Sequence, residues 1–409
     1  MKYLLILGDG MADHKIPALD NKTPLAFAKK DDIDALSSQS VLGMVKTIPD
    51  GMEPGSGPAN MAVMGYAPEK FYTGRSPLEA VSLGINMTKD DTAYRTNLVT
   101  IDIPEGKNYE DATMVDYSSG EISTAEATEL IKAIEDEFGK DGIHFFPGRS
   151  YRHCLIWDKG PLDIAFTPPH DITGKPVMGH LPTGDRSDII LDMMKRSYEI
   201  LNNHPINIER SNRGLNKANS IWLWGQGTKP KTPDFTEEYG MHGTMISAVD
   251  LLFGLARCSG LDVVEVEGAT GTKETNFTGK ADAAINAFKN GSDYVYIHLE
   301  APDECGHQGD IEGKVFSIEQ INDKIFAPVF DYLCENKEIN GEDFHVMILP
   351  DHPTPIETRT HASEEVPFLL FKSEDPEEQS ENSIYTEEFC MNTGIRFETA
   401  PDLFKAFMP

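Results

Sequence analysis

Positive charge is scarce in this sequence. Its 36 Lys and Arg residues face 67 Asp and Glu, for a formal net charge of −31. Nucleic acids and anionic membranes are bound through basic footprints, so neither is an expected partner. A small phosphorylated metabolite would have to be met by local positive charge, from metal ions or from a few Arg and Lys. Cysteine is sparse too. Cys154, Cys258, Cys305, Cys334 and Cys390 are odd in number, scattered and without CxxC spacing. That is the pattern of a reduced, cytoplasmic protein and excludes a disulfide framework. No apolar run approaches the length of a membrane span. The opening "MKYLLILGDGM" is too short in apolar residues for a signal peptide and reads as a buried first strand. A Walker-type GxxxxGKS/T is missing, and so is the hydrolase elbow GxSxG, because Ala59 and Asn60 follow Pro58.

What is present is a soluble globular chain, 39% hydrophobic and 25% charged over 409 residues, long enough for two domains. Three apolar runs end in the same way: "KYLLILGD" at Asp9, "DYVYIHLEAPD" at Asp303, and "FHVMILPDH" at Asp351 and His352. Continuous apolar strands followed by helical patterns predict an α/β fold with a mainly parallel sheet sandwiched by helices. "KADAAINAFKN" and "GTMISAVDLLFGLARCSG" both read as helix, the second stopped by Gly260. Residues 89–235 change texture, with short strands, Pro/Gly turns and helices at "TAEATELIKAIEDEF" and "DIILDMMKRSYEILNN". This block reads as an inserted α+β cap domain, able to close over a site built by residues 1–88 and 236–409. "SEDPEEQSEN" (Ser373–Asn382) reads as a solvated acidic loop.

Ligands of open α/β sheets bind outside the carboxyl ends of the strands, which brings the three acidic ends together. The spacing of Asp303 and His307 puts both on one side of a helical turn. With Asp9, Asp351, His352 and His361 the set holds three carboxylates and three imidazoles. Mixed N/O donors without thiolate suit a pair of divalent ions such as manganese or zinc. Cys305, beside these residues, reads as a buried free thiol. In "PDGMEPGSGPANMAVMGY", Ser56 lies between two glycines at the start of an amphipathic stretch. Two roles fit it equally: a helix cap, or a hydroxyl activated by the helix dipole and a neighbouring cation.

"ILGDGMAD", "PGSGPANMAVMGYAPEKFYTGRSPLEAVSLGI", "WLWGQG", "HLEAPDECGHQGD" and "LPDHPTP…RTHASEEVPF" together resemble the archaeal-type cofactor-independent phosphoglycerate mutases of the alkaline phosphatase superfamily. The resemblance spans nearly the whole chain. It implies an alkaline-phosphatase-like core and a serine transiently phosphorylated beside two manganese ions, with magnesium or zinc as alternatives and no organic cofactor. It implies that Asp303, His307 and His361 hold one metal. Asp9, Ser56, Asp351 and His352 hold the other, with Ser56 as nucleophile. The expected reaction is interconversion of 2- and 3-phosphoglycerate; a homoserine-kinase-like enzyme and a phosphomonoesterase are alternatives on the same scaffold. One stretch departs from the family: where an Arg-rich "DRRAGRI" is expected, this chain has "MVDYSSGEIST" (Met114–Thr124). Other basic residues, Arg75, Arg95, Arg152, Arg210 and Lys280, are then candidates for substrate contact. Nothing in the sequence specifies an oligomeric state.

Overall fold

The computed structural model describes residues 1–377 and 383–408, which divide into two compact units, Met1–Tyr72 with Lys231–Pro409, and Thr73–Pro230. The first unit is built on an eight-stranded sheet. Its order is Asp262–Glu265, Gly243–Ser247, Tyr294–Leu299, Lys2–Gly8, Phe344–Leu349, Val366–Lys372, Val41–Val45 and Arg396–Phe397. Val366–Lys372 is antiparallel to both of its neighbours, and every other pairing is parallel. Both faces of the sheet are covered, as the continuous apolar runs require. Leu4, Ile6, Val295, Val346 and Ile348 share one core with Ala281, Ala284, Phe326 and Val329 of the helices on that side. On the other face, Tyr3 packs edge-on against Phe407 and Tyr294 against Phe404, both from the helix Ala400–Phe407.

One predicted helix is partly a strand. Gly243–Ser247 pairs in parallel with Asp262–Glu265 and Tyr294–Leu299, and the helix is confined to Asp250–Cys258. All five strand residues are buried, so the apolar periodicity of a half-buried strand is erased and a short run looks helical. The segment then depends on tertiary pairing. Gly260 follows the helix at φ 74°, a left-handed conformation that suits glycine.

The second unit starts earlier than residue 89 because the helix Arg75–Ser82 packs on the strands Asp91–Asp102 and Ser220–Thr228. The long strand Asp91–Asp102 pairs antiparallel with Thr113–Asp116, Arg152–Asp158 and Ser220–Thr228. The helix Thr124–Phe138 is capped by Ser123, which accepts from the Glu126 N–H. Ala127, Leu130, Ile131, Ile134 and Phe138 place one apolar stripe in the core at helical spacing. The Met114–Thr124 stretch is a strand end and a tight turn, in which the Asp116 carboxylate accepts from the N–H groups of Ser118 and Gly120. Of the acidic run, 373–377 follow the strand Val366–Lys372 as a turn, and 378–382 lie outside the described residues. No helix among the described residues is long and apolar enough to cross a membrane.

His153 supplies a pH test of this second unit. Its Nδ1 accepts from the Gly148 N–H at 3.0 Å, and burial pushes its imidazole from 6.5 down to about 3. The unfolded chain takes up a proton near pH 6.5 while the folded unit does not until about pH 3. Stability is therefore full above pH 6.5 and declines as pH falls towards 3. Between about pH 7 and about pH 5 the expected loss is about 2 kcal/mol. Urea midpoints of wild type and His153→Asn at the two pH values check this: the variant should lose less on acidification.

Candidate metal centre

Three adjacent strands deliver the carboxylates. Asp9 follows Lys2–Gly8, and Asp351 and His352 follow Phe344–Leu349. Asp303 and His307 lie on the helix Ala301–Gln308, directly after Tyr294–Leu299. The reversed strand explains His361: because Val366–Lys372 runs antiparallel, the residues before it lie at the carboxyl end of its neighbours. Ser56 is reached through Val41–Val45 and opens the helix Ser56–Val63.

Seven side chains separated by up to hundreds of residues thus meet. Single donor atoms of Asp9, Asp351 and His352 lie within 4.8 Å of one another, and so do those of Asp303, His352 and His361. His352 is common to both triads. His307 Nε2 is 3.0 Å from His361 Nε2 and 3.2 Å from Asp303 Oδ2, so it flanks the second triad. Ser56 does not cap its helix, since Gly55 occupies the cap position and no side-chain cap bond forms. Its hydroxyl instead donates towards Asp9 Oδ2 at 3.3 Å and lies 3.3 Å from His352 Nε2.

The electrostatics call for a cation. Asp9 is 1% exposed, Asp351 0% and Asp303 5%, and among the described residues their ion-pair partners are histidines alone. Burial, with the like charges of Asp351 and Asp303, holds the Asp9 carboxyl well above its ordinary range. Asp9 Oδ1 is buried without a hydrogen-bond partner, an acceptor that a bound ion would satisfy. Burial also pushes Asp303 up, but hydrogen bonds to His307 and His361 outweigh it and hold the carboxyl below its usual range. The same bond raises His307 to about 9. The donor set, carboxylate and imidazole with one serine oxygen, fits divalent ions of the manganese or zinc type.

Several supporting residues escaped the sequence reading. Asn60 Nδ2 donates to Asp351 Oδ2 at 2.8 Å and to the Ser56 carbonyl at 2.9 Å, while the Tyr296 hydroxyl donates to its Oδ1. The Thr354 hydroxyl donates to Asp303 Oδ1. His298 Nε2 lies 3.0 Å from Asp9 Oδ2. Tyr294, Tyr296 and His298 alternate along a buried strand, so they share a face; their polar atoms in so buried a run were the available signal. Gly10 is needed at its place, because φ is 60° and a Cβ would come 2.6 Å from Asp303 Oδ1.

Two of the candidate substrate residues are accounted for by the fold. Arg210 is 2% exposed and donates to Glu126, the Ser119 carbonyl and the Asn216 carbonyl. Lys280 is fully buried, its ammonium donating to the His298 carbonyl at 2.9 Å, and burial lowers it to about 8. Both are engaged internally, which corrects their expected role. Arg75, Arg95 and Arg152 differ: in the second unit they surround one carboxylate. Arg75 Nε is 2.7 Å and Arg95 Nε 3.1 Å from Glu79. Burial would raise the Glu79 carboxyl, but Arg95, Arg75 and Arg152 hold it below its usual range.

Carboxylates, imidazoles and a serine hydroxyl gathered at the ends of parallel strands are the parts of a metal-dependent group-transfer centre. Residues 37–207 match the family model described as 2,3-bisphosphoglycerate-independent phosphoglycerate mutase. A curated Methanosarcina barkeri protein of that name is 43% identical over 98% of both chains. A Geobacter sulfurreducens protein, named as a probable member, is 43% identical over 97% of both. Among solved structures, a Pyrococcus horikoshii protein matches with a TM-score of 0.81 at 27% identity, over 99% of this chain and 96% of that one. A cofactor-independent phosphoglycerate mutase from Thermoplasma acidophilum shares the fold, with a TM-score of 0.68 at 22% identity over 100% and 99%. The chain belongs to the 2,3-bisphosphoglycerate-independent phosphoglycerate mutase family.

The crowding of like charge at the centre predicts a trade between stability and metal binding. Asp9→Asn removes one buried charge and should raise the melting temperature of metal-free protein by roughly 2–4 °C, equivalent to about 1 kcal/mol. The same variant should lose most of the further rise that added manganese produces in wild type. Thermal scans with and without manganese check both.

Proposed function

We propose that this protein interconverts 2-phosphoglycerate and 3-phosphoglycerate through a phosphoserine at Ser56. The observation that carries the reading is the Ser56 hydroxyl, free of any capping duty and within 3.3 Å of both Asp9 Oδ2 and His352 Nε2. Divalent ions, manganese by the donor set, would be held by Asp9, Ser56, Asp351 and His352 and by Asp303, His307 and His361, and would supply charge neutralisation to the phosphoryl oxygens.

Ser56 Oγ attacks phosphorus, and the bond from phosphorus to the substrate hydroxyl oxygen breaks. The serine proton passes to Asp9 Oδ2, to which Ser56 Oγ donates, and from there to the departing glycerate oxygen. The other glycerate hydroxyl then gives its proton to the same Asp9 oxygen and attacks the phosphoserine; the bond from phosphorus to Ser56 Oγ breaks, and Oγ takes that proton back. The helix N-terminus beneath Ser56 favours negative charge at this point. Asn60 ties the nucleophile's backbone to Asp351, so attack geometry and ligand geometry are set together.

Substrate carries anionic groups besides the reacting one, and Arg75, Arg95 and Arg152 are the groups proposed to receive them. Glu79 holds two of these guanidiniums in place, and Arg95 stacks 4.2 Å from the Trp224 ring centre, which orients it at low entropic cost. This cluster supports the phosphoglycerate reading although Met114–Thr124 lacks arginine.

Ser56→Ala should lower turnover of 3-phosphoglycerate with manganese by at least ~10³-fold, with metal content and melting temperature retained. Unchanged turnover removes Ser56 from the chemistry. Product formed from homoserine and ATP, with none from 3-phosphoglycerate, would replace the mutase reading by the kinase one. Arg152→Ala should raise KM about tenfold with a smaller change in kcat, as a loss of ground-state binding does.

A further inference from the structure

We infer that His298 is a positioning residue that turns the Asp9 carboxylate so that one oxygen serves the nucleophile and the other the metal. The inference rests on the metal-centre reading above and extends it to a side chain outside the seven.

His298 is fully buried near the end of the central strand Tyr294–Leu299. Its Nδ1 lies 3.2 Å from Ser247 Oγ, on the adjoining strand Gly243–Ser247. Ser247 Oγ accepts from the Val249 N–H at 3.1 Å and still has its own proton to give to His298 Nδ1, while on the other side of the ring the ionised Asp9 oxygen can only accept. Nδ1 is then an acceptor, and the imidazole proton sits on Nε2, 3.0 Å from Asp9 Oδ2. The same Oδ2 accepts from Ser56 Oγ. With two donors on Oδ2, Asp9 Oδ1 is left buried and unpartnered, 3.5 Å from His352 Nε2, the residue common to both triads. Lys280 holds the backbone of this device through the His298 carbonyl. A backbone N–H, a hydroxyl and one imidazole thus fix the rotation of a carboxylate that would otherwise be free to turn about its last bond. Such outer hydrogen bonds orient ligands at metal sites and commonly govern affinity.

Calorimetric titration of manganese into metal-free protein tests this without assaying turnover. His298→Leu should weaken binding about 10–100-fold. His298→Gln, which can present an amide N–H where Nε2 stood, should recover most of that loss, and Ser247→Ala should fall between wild type and His298→Leu. Metal-free melting temperatures of His298→Gln and Ser247→Ala should stay near wild type, which a packing defect would not allow. Three results would overturn the inference: His298→Leu binding as tightly as wild type, His298→Gln binding no better than His298→Leu, or a lost metal equivalent at unchanged affinity, which would make His298 a ligand. If His298→Leu does not fold, His298→Gln and Ser247→Ala decide by the same affinities. Wild type that binds no manganese overturns the metal centre itself, and His298's role with it. Tight wild-type binding with indifferent variants overturns only the inference.

Discussion

Three buried carboxylates gathered around one histidine, each with an oxygen within 4.8 Å of a His352 nitrogen, repel strongly wherever water is excluded. Asp9, Asp303 and Asp351 are held in that arrangement by features that only make sense as its supports. Gly10 lets the chain pass against Asp303, Thr354 and Asn60 each donate to one of these carboxylates, and His298 Nε2 lies 3.0 Å from Asp9. Lys314, fully buried, bonds Asp13, the Ala12 carbonyl and the Thr354 carbonyl at 2.7, 3.3 and 2.9 Å. One ammonium therefore joins the loop after Asp9 to the loop after His352. Its charge is spent on Asp13, a step away from the centre, so the fold braces these loops without neutralising Asp9, Asp303 or Asp351.

The second unit uses the opposite sign. Arg75 and Arg95 grip Glu79 in a short helix packed on the long strand, and aromatic rings of Trp224 and Tyr151 lie under Arg95 and Arg152. In a chain with 31 more negative than positive charges, such a local excess of guanidinium is costly to assemble and is kept together by one carboxylate. Arg210 and Lys280 show the contrast: a buried cation whose donors are used within the fold contributes to architecture and has nothing left for a ligand.

Much of this could be read in advance. Strands covered on both faces announce themselves as unbroken apolar runs, and an Asp or Asp-His at the end of each run is conspicuous because strand ends in parallel sheets meet. That Asp9, Ser56, Asp303, His307, Asp351, His352 and His361 would gather at one end of the sheet was legible in this way or through the family motifs. The strand at Gly243–Ser247 was not, because complete burial removes the alternation that separates strand from helix. Asn60 and His298 were missed for a related reason: their roles are hydrogen bonds to residues 291 and 289 positions away, and no local pattern encodes such a partner.

By itself the sequence determined the chemistry available: which side chains carry charge, which segments must be buried, and that acidic ends of apolar strands would gather at one edge of a sheet. Those are properties of residue type and local period. Tertiary structure alone decided direction. It chose the reversed strand that delivers His361, the rotation of the Asp9 carboxylate, and which cations are consumed inside the fold. Direction depends on distances between residues far apart in the chain, and those distances exist only once the sheet has formed.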